Sequence, residues 1–79
     1  MSMVFEVTAY SREHIKIWGP ERFKGEAPEL IDLLSRKIGP TDRAFVKWHE
    51  PSLFGQGKML RVMRCFFGAD GHFRTVSVR

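Results

Sequence analysis

The sequence predicts an α+β domain of two layers, in which an antiparallel sheet carries one helix on one face in the order β-β-α-β-β-β. Several short segments alternate apolar and polar residues, as half-buried strands do. One segment, residues 28–38, has apolar residues at helical spacing instead. The sequence Gly-Ala-Asp-Gly at 68–71 is typical of a hairpin turn. A chain of 79 residues has room for a single domain, 1–79, with a thin core.

The first two strands are predicted to form a hairpin. Residues 4–10 alternate, and after a polar break at 11–13 residues 14–18 alternate again. The Gly19–Pro20 pair is expected to end the second strand, because proline cannot donate to the ladder. Trp18 is expected to point outward. The apolar residues expected to face the core are Phe5, Val7, Ala9, Ile15 and Ile17.

The helix is predicted over Pro28–Ile38. Proline suits the first helical turn, where its missing N–H costs nothing. Gly39 is expected to end the helix in the left-handed conformation, and Pro40 blocks its continuation. Acidic residues lie near the start and basic residues near the end, which suits the helix dipole. The apolar face consists of Ala27, Leu30, Ile31, Leu34 and Ile38.

Three further strands are predicted at 43–50, 59–67 and 72–78, with a loop at 51–58. In the first of these, alternation places Ala44, Val46 and Trp48 on one face and Arg43, Phe45, Lys47 and His49 on the other. Arg61 and Arg64 are three positions apart, so strict alternation sends them to opposite faces. A bulge would bring them to one side, and the sequence leaves both arrangements open.

The charge is concentrated in the second half of the chain. The formal net charge is +4. Residues 1–42 carry six Lys or Arg and seven Asp or Glu, whereas residues 43–79 carry seven against two. This asymmetry indicates an anionic partner, although a modest positive charge also serves solubility alone.

The composition suggests a soluble protein of a reducing compartment. A single cysteine, Cys65, allows no internal disulfide. The first residues have no signal-peptide pattern, and no apolar run approaches the ~20 residues that span a bilayer. We therefore expect a cytoplasmic protein without a membrane partner.

The motifs of common catalytic and metal sites are missing from the sequence. The histidines and Cys65 are not paired at metal-ligand spacing, so neither a metal nor another cofactor is expected. Cys65 lies in an apolar segment, which favours a buried filler over an activated thiolate. The serines lie in no nucleophile-elbow motif, and no phosphate-binding loop is present.

The preferred hypothesis is a small, non-enzymatic interaction protein. Its basic strands, residues 43–79, would dock on an anionic surface of nucleic acid or of a nucleic-acid-handling protein complex. The partner would be an acidic protein surface, a nucleoprotein complex, RNA or single-stranded DNA. Small size without catalytic motifs suggests a phage or mobile-element regulator or inhibitor of host machinery. The candidate binding residues are Lys47, Trp48, Phe54, Lys58, Arg61, Arg64 and Arg74.

Two other functions and one assembly remain open. A metal-free endoribonuclease of the toxin type needs only a base, an acid and cations, because the RNA 2′-OH supplies the nucleophile. The candidates for base and acid are Tyr10, His14, His49 and His72. A sequence-nonspecific module for single-stranded nucleic acid would use the same cations with interleaved aromatic residues. An unpaired edge strand would also permit a homodimer.

Overall fold

Five strands form one open antiparallel sheet, and a single helix packs on one of its faces. The computed structural model describes residues 3–51 and 57–78. The strands lie side by side in the order β2-β1-β3-β4-β5. The predicted fold class and element order are confirmed. The elements are β1 (Met3–Tyr10), β2 (Lys16–Gly25), α1 (Ala27–Lys37), β3 (Arg43–Pro51), β4 (Lys58–Phe67) and β5 (Phe73–Ser77).

The core lies between α1 and the centre of the sheet. Alternation on β1 and β3 sends every second side chain toward the helix, as the sequence predicts. Leu30 and Leu34 of α1 are fully buried against these strands, and burying each stabilises the fold by about 1.5–3 kcal/mol. The buried residues are Phe5, Val7, Ala9, Leu30, Leu34, Ile38, Ala44, Val46 and Cys65.

The helix ends differently from the prediction. Ile38 is extended (φ −103°, ψ 149°), and Gly39 does not adopt a positive φ. The Gly39 N–H instead donates to Asp42 Oδ2 at 2.8 Å, and the Asp42 N–H donates to the Gly39 carbonyl at 3.1 Å. An aspartate side chain can thus close the turn that a left-handed glycine would otherwise make.

Strand β2 continues through Gly19–Pro20 to Gly25, so the prediction that this pair ends the strand is wrong. The register shifts here, because Val7 pairs with Glu21 while Ala9 pairs with Trp18. β2 is an edge strand with a bulge, and both features tolerate a proline without an N–H to donate. Gly19 has φ +94°, a conformation that favours glycine.

The predicted orientation of Ile15, Ile17 and Trp18 is also wrong. The isoleucines are 63% and 49% exposed, whereas Trp18 is half-buried and packs against the core. A second register shift follows Ala9, and it moves Trp18 to the side of α1. There the Lys37 Nζ atom lies 4.8 Å from the centre of the indole ring. The tryptophan therefore seals the end of the core below the last turn of α1.

The final hairpin forms as predicted. The Gly71 N–H donates to the Gly68 carbonyl at 2.9 Å, and Gly71 has φ +83°. The Gly68 N–H donates to the His72 carbonyl and closes the hairpin between β4 and β5. Within the described residues, no helix is long and apolar enough to cross a membrane.

Candidate functional site

The sheet has a face turned away from α1, and we call it the open face. Cross-strand pairs share a face, so the register assigns each strand residue to the open face or to the helix face. Glu6 is the only carboxylate that the described strands place on the open face. Every Lys or Arg of these strands except Arg61 also lies there: Lys16, Arg22, Lys24, Arg43, Lys47, Lys58, Arg64 and Arg74.

One end of the open face combines cations with aromatic rings. A row of paired residues crosses four strands from β1 to β5, and we call it the first row: Tyr10, Arg43, Phe66 and Arg74. The next row along the strands contains Thr8, Phe45, Arg64 and Val76. Neighbouring strands lie about 4.8 Å apart, so side chains of adjacent strands in a row touch or nearly touch.

The rings and cations of the two rows are in contact. Tyr10 and Phe45 meet edge to face, with ring centroids 5.8 Å apart. The Arg64 guanidinium carbon lies 5.0 Å from the centre of the Phe66 ring. Tyr10, Phe45, Arg64 and Phe66 are half-buried by their neighbours, yet no second layer covers them in the described part of the chain. Part of each of these side chains therefore remains accessible to a partner.

Several of these cations are not neutralised by neighbouring carboxylates. Within the described residues, Arg43, Lys47 and Arg64 form no ion pair. Arg74 differs, because its Nη2 atom lies 2.6 Å from Asp70 Oδ2. The His72 backbone N–H and then Arg74 hold the pKa of Asp70 below its usual value. The net positive charge of the open face therefore comes mainly from cations other than Arg74.

The structure separates the predicted binding residues. Lys47, Lys58, Arg64 and Arg74 share the open face. Arg61 pairs with Trp48 across β3 and β4, and both lie on the helix face. Phe54 lies outside the described residues. No bulge interrupts the pairing of β3 with β4, so strict alternation holds and one flat partner cannot contact both Arg61 and Arg64.

Trp48 and Arg61 form a cluster around Glu50. Trp48 Nε1 donates to Glu50 Oε1 at 2.9 Å, and Arg61 Nε donates to Glu50 Oε2 at 3.2 Å. The bond from Trp48 and then that from Arg61 lower the pKa of Glu50. The Trp48 ring meets Phe5 edge to face at 5.6 Å. These contacts give both residues a structural role at the border of the core.

The histidines do not converge on one point. His14 and His72 lie in the turns β1–β2 and β4–β5, with β3 between them. His49 lies on β3, four residues from Phe45, or about 13 Å along the strand. His14 lines a shallow depression of the open face with Thr8, Tyr10, Phe45 and Lys47.

The described residues show no metal-binding cluster of three or more His, Cys, Asp or Glu side chains. Cys65 is fully buried beside Ala44, and burial raises the pKa of its thiol to about 11. A thiol with this pKa stays protonated at neutral pH and is a poor nucleophile.

Sequence reasoning did not select Phe45, Phe66, Arg22 or Lys24 as site residues. Phe45 could have been found, because it is two positions from both Arg43 and Lys47 and alternation places all three on one face. Arg22 and Lys24 could not have been found, because they follow the proline that was predicted to end β2.

Comparisons of the chain with protein-family models, curated proteins and solved structures find no match.

Proposed function

We propose that this protein binds single-stranded nucleic acid on the open face without catalysing a reaction. One observation carries the proposal: all Lys and Arg residues of the described strands except Arg61 share a face with Tyr10, Phe45 and Phe66. Cations attract the phosphates, and binding releases the counterions that these had condensed. Exposed ring faces stack unpaired bases, at about 1–3 kcal/mol per base.

The position of the helix favours a single strand over a duplex. A helix that reads the major groove must be presented to the nucleic acid. Here α1 lies on the other side of the sheet, and its exposed surface includes Glu29 and Asp32. The open face is a sheet surface on which a flexible strand can lay its phosphates and bases together.

The proposal is tested by fluorescence anisotropy with a labelled single-stranded RNA and DNA oligonucleotide. We expect the affinity to fall steeply with salt, with a slope of log K against log salt near −0.7 per neutralised phosphate. Arg64→Gln should reduce the affinity and make the slope less steep by about 0.7, because one phosphate contact is lost. Arg61→Gln is the matched control: it removes the same charge from the helix face.

Two outcomes of this experiment would contradict the proposal. The first is a wild type that binds neither oligonucleotide at low salt, and the second is an Arg61→Gln variant that binds as weakly as Arg64→Gln. Circular dichroism and thermal melting of both variants should accompany the titrations, because Arg61 also bonds to Glu50. A loss of affinity counts only for a variant that retains the wild-type fold.

An acidic protein surface or a nucleoprotein complex would also complement the open face. Pull-down from a lysate before and after nuclease treatment separates this partner from nucleic acid alone. A captured protein that survives nuclease treatment, together with no oligonucleotide binding, would replace our proposal by protein docking. The phage or mobile-element role stays a prediction from chain length and the lack of catalytic motifs.

A second candidate function is metal-free RNA cleavage. The observation that favours it is the depression shared by Tyr10, His14 and Lys47, which offers a base, an acid and a cation beside Phe45. We predict that, if the protein cleaves RNA at all, His14→Ala abolishes cleavage and His72→Ala does not. The assay uses a labelled RNA in EDTA with a gel readout. Intact RNA with the wild type rejects this function and leaves binding untouched.

A further inference from the structure

We infer that Arg43 and Arg64 form a phosphate-anchoring subsite in a cleft at the end of the open face. This inference rests on the proposed function, and it names the point where the bound strand is held most firmly. The cleft lies where the loop after α1 meets the first row. Its lining consists of Pro40, Thr41, Asp42, Arg43, Arg64, Phe66 and Phe67.

The sheet register brings the two arginines to this cleft. Arg43 pairs directly with Phe66, and Arg64 precedes Phe66 by two positions on the same face of β4. Both arginines are therefore neighbours of Phe66 in the sheet, and both line the cleft. Guanidinium is the side-chain group best suited to phosphate, because its planar array of donors can bond two oxygens at once. A base adjacent to the anchored phosphate would lie over the rings of Phe66 and Phe45.

Arg64 has a donor that no described residue satisfies. Its Nε atom is buried and has no hydrogen-bond partner among the described residues. Buried polar groups without a partner are rare, because an unmet donor costs about 1–3 kcal/mol. The Arg64 guanidinium carbon lies 5.0 Å from the centre of the Phe66 ring. A rotation of the Arg64 side chain would turn this donor toward the cleft, where a phosphate oxygen would supply the missing acceptor.

Asp42 also lines the cleft, and its charge opposes an anion. Its carboxylate is engaged, because Oδ2 accepts the Gly39 N–H at 2.8 Å. The two arginines still leave the cleft with a net positive charge. Asp42 therefore holds the loop that forms one wall, and the anion would bind on the side of Arg43 and Arg64.

The other end of the open face lacks this combination. The depression there is lined by Arg22, Lys47 and Lys58 together with the carboxylate residue Glu6. In the sheet register, Glu6 lies opposite Arg22 on β2 and opposite Lys47 on β3. In the described part of the chain, the orphan buried side-chain donor belongs to Arg64 and not to these residues. Arg22→Gln is thus a matched control that removes one arginine from the same face.

The test follows the Arg64 Nε–Hε resonance by NMR during two titrations, one with inorganic phosphate and one with a short single-stranded oligonucleotide. We expect both to shift it saturably, the oligonucleotide at much lower concentration. In parallel anisotropy titrations, Arg43→Gln and Arg64→Lys should each weaken oligonucleotide binding about tenfold or more. Arg64→Lys retains the charge, so the affinity that this variant loses reports the contribution of the planar guanidinium group. Arg22→Gln should cost a few-fold at most.

The outcomes separate this inference from the proposed function. If the oligonucleotide binds but leaves the Arg64 resonance unmoved, and Arg64→Lys binds no worse than Arg22→Gln, the subsite is rejected while the binding function stands. If inorganic phosphate shifts the resonance and the oligonucleotide does not bind, the subsite stands as an anion site and the proposed function is rejected. Unchanged amide spectra away from the cleft show that each variant is folded.

Discussion

Cys65 shows how the environment of one residue decides its chemistry. Its side chain is fully buried on the helix face of β4, beside Ala44. Burial disfavours the thiolate and raises the pKa from 9.0 to about 11. The sequence predicted a buried filler from the apolar neighbours alone, and the burial of this residue is confirmed.

The raised pKa of Cys65 predicts a loss of stability at alkaline pH. Between pH 9.0 and about 11 the folded thiol keeps a proton that the unfolded thiol releases. The free energy of unfolding should therefore fall as the pH rises through this range. Urea denaturation at a series of pH values measures this fall. Cys65→Ala lacks the titrating group and should lose less stability over the same range; equal losses in both proteins would contradict the prediction.

The orientation of Arg61 and Arg64 was predictable only in part. Strict alternation sends residues three positions apart to opposite faces, and the structure obeys this rule. The sequence does not show whether a bulge interrupts β4, so only the observed register decides whether Arg61 and Arg64 share a face. The same limit applies to Trp18, which a register shift moves toward the core. The face that a side chain takes can be predicted within an uninterrupted strand, whereas it cannot be predicted across a bulge or a register shift.

At the scale of elements, the bulge of β2 depends on Gly19. This residue has φ +94°, and an added Cβ would collide with the Val7 carbonyl oxygen. Gly71 in the last hairpin has a similar φ of +83°, but an added Cβ there meets open space. Both glycines therefore have a positive φ, but only at Gly19 would a side chain also collide with a neighbouring strand.

This difference predicts that Gly19→Ala destabilises the protein more than Gly71→Ala. The left-handed conformation alone costs a non-glycine residue about 1–2 kcal/mol, which is the expected effect at Gly71. At Gly19 the collision with β1 adds to this cost. Chemical denaturation of both variants measures the free energy of unfolding. Equal effects would show that β2 shifts away from β1 at little cost.

The helix and most strands were predictable because local signals and tertiary packing agree there. The apolar spacing of α1 matches the face that buries Leu30 and Leu34. The exceptions are the predicted left-handed cap at Gly39 and the predicted end of β2 at Pro20. In each case another structural feature overrides the local signal. Asp42 closes the turn after α1, and the edge position of β2 removes the objection to proline. The edge position of β2 depends on which segments lie side by side, and the sequence does not show this. Asp42 lies only three residues after Gly39, so its competing turn is a local alternative to the glycine cap.

At the scale of the molecule, charge is segregated by face more than by position along the chain. The sequence indicates a basic second half. The structure adds Lys16, Arg22 and Lys24 from the first half to the open face, and it places Arg61 on the helix face. The candidate binding residues chosen from the sequence therefore lie on two different surfaces. Strand order and register, which assign faces, were the missing information.

The two borders of the sheet differ in their capacity to pair with another copy of the chain. Pro20 offers no N–H along β2, and the bulge at Gly19 breaks the regular spacing of its backbone groups. Strand β5 has neither feature, and among the described residues no strand pairs with its outer side. If two copies associate by strand pairing, we therefore expect β5 of one copy to join β5 of the other. Such a pair would leave only the two β2 borders, each with its bulge and proline, on the outside.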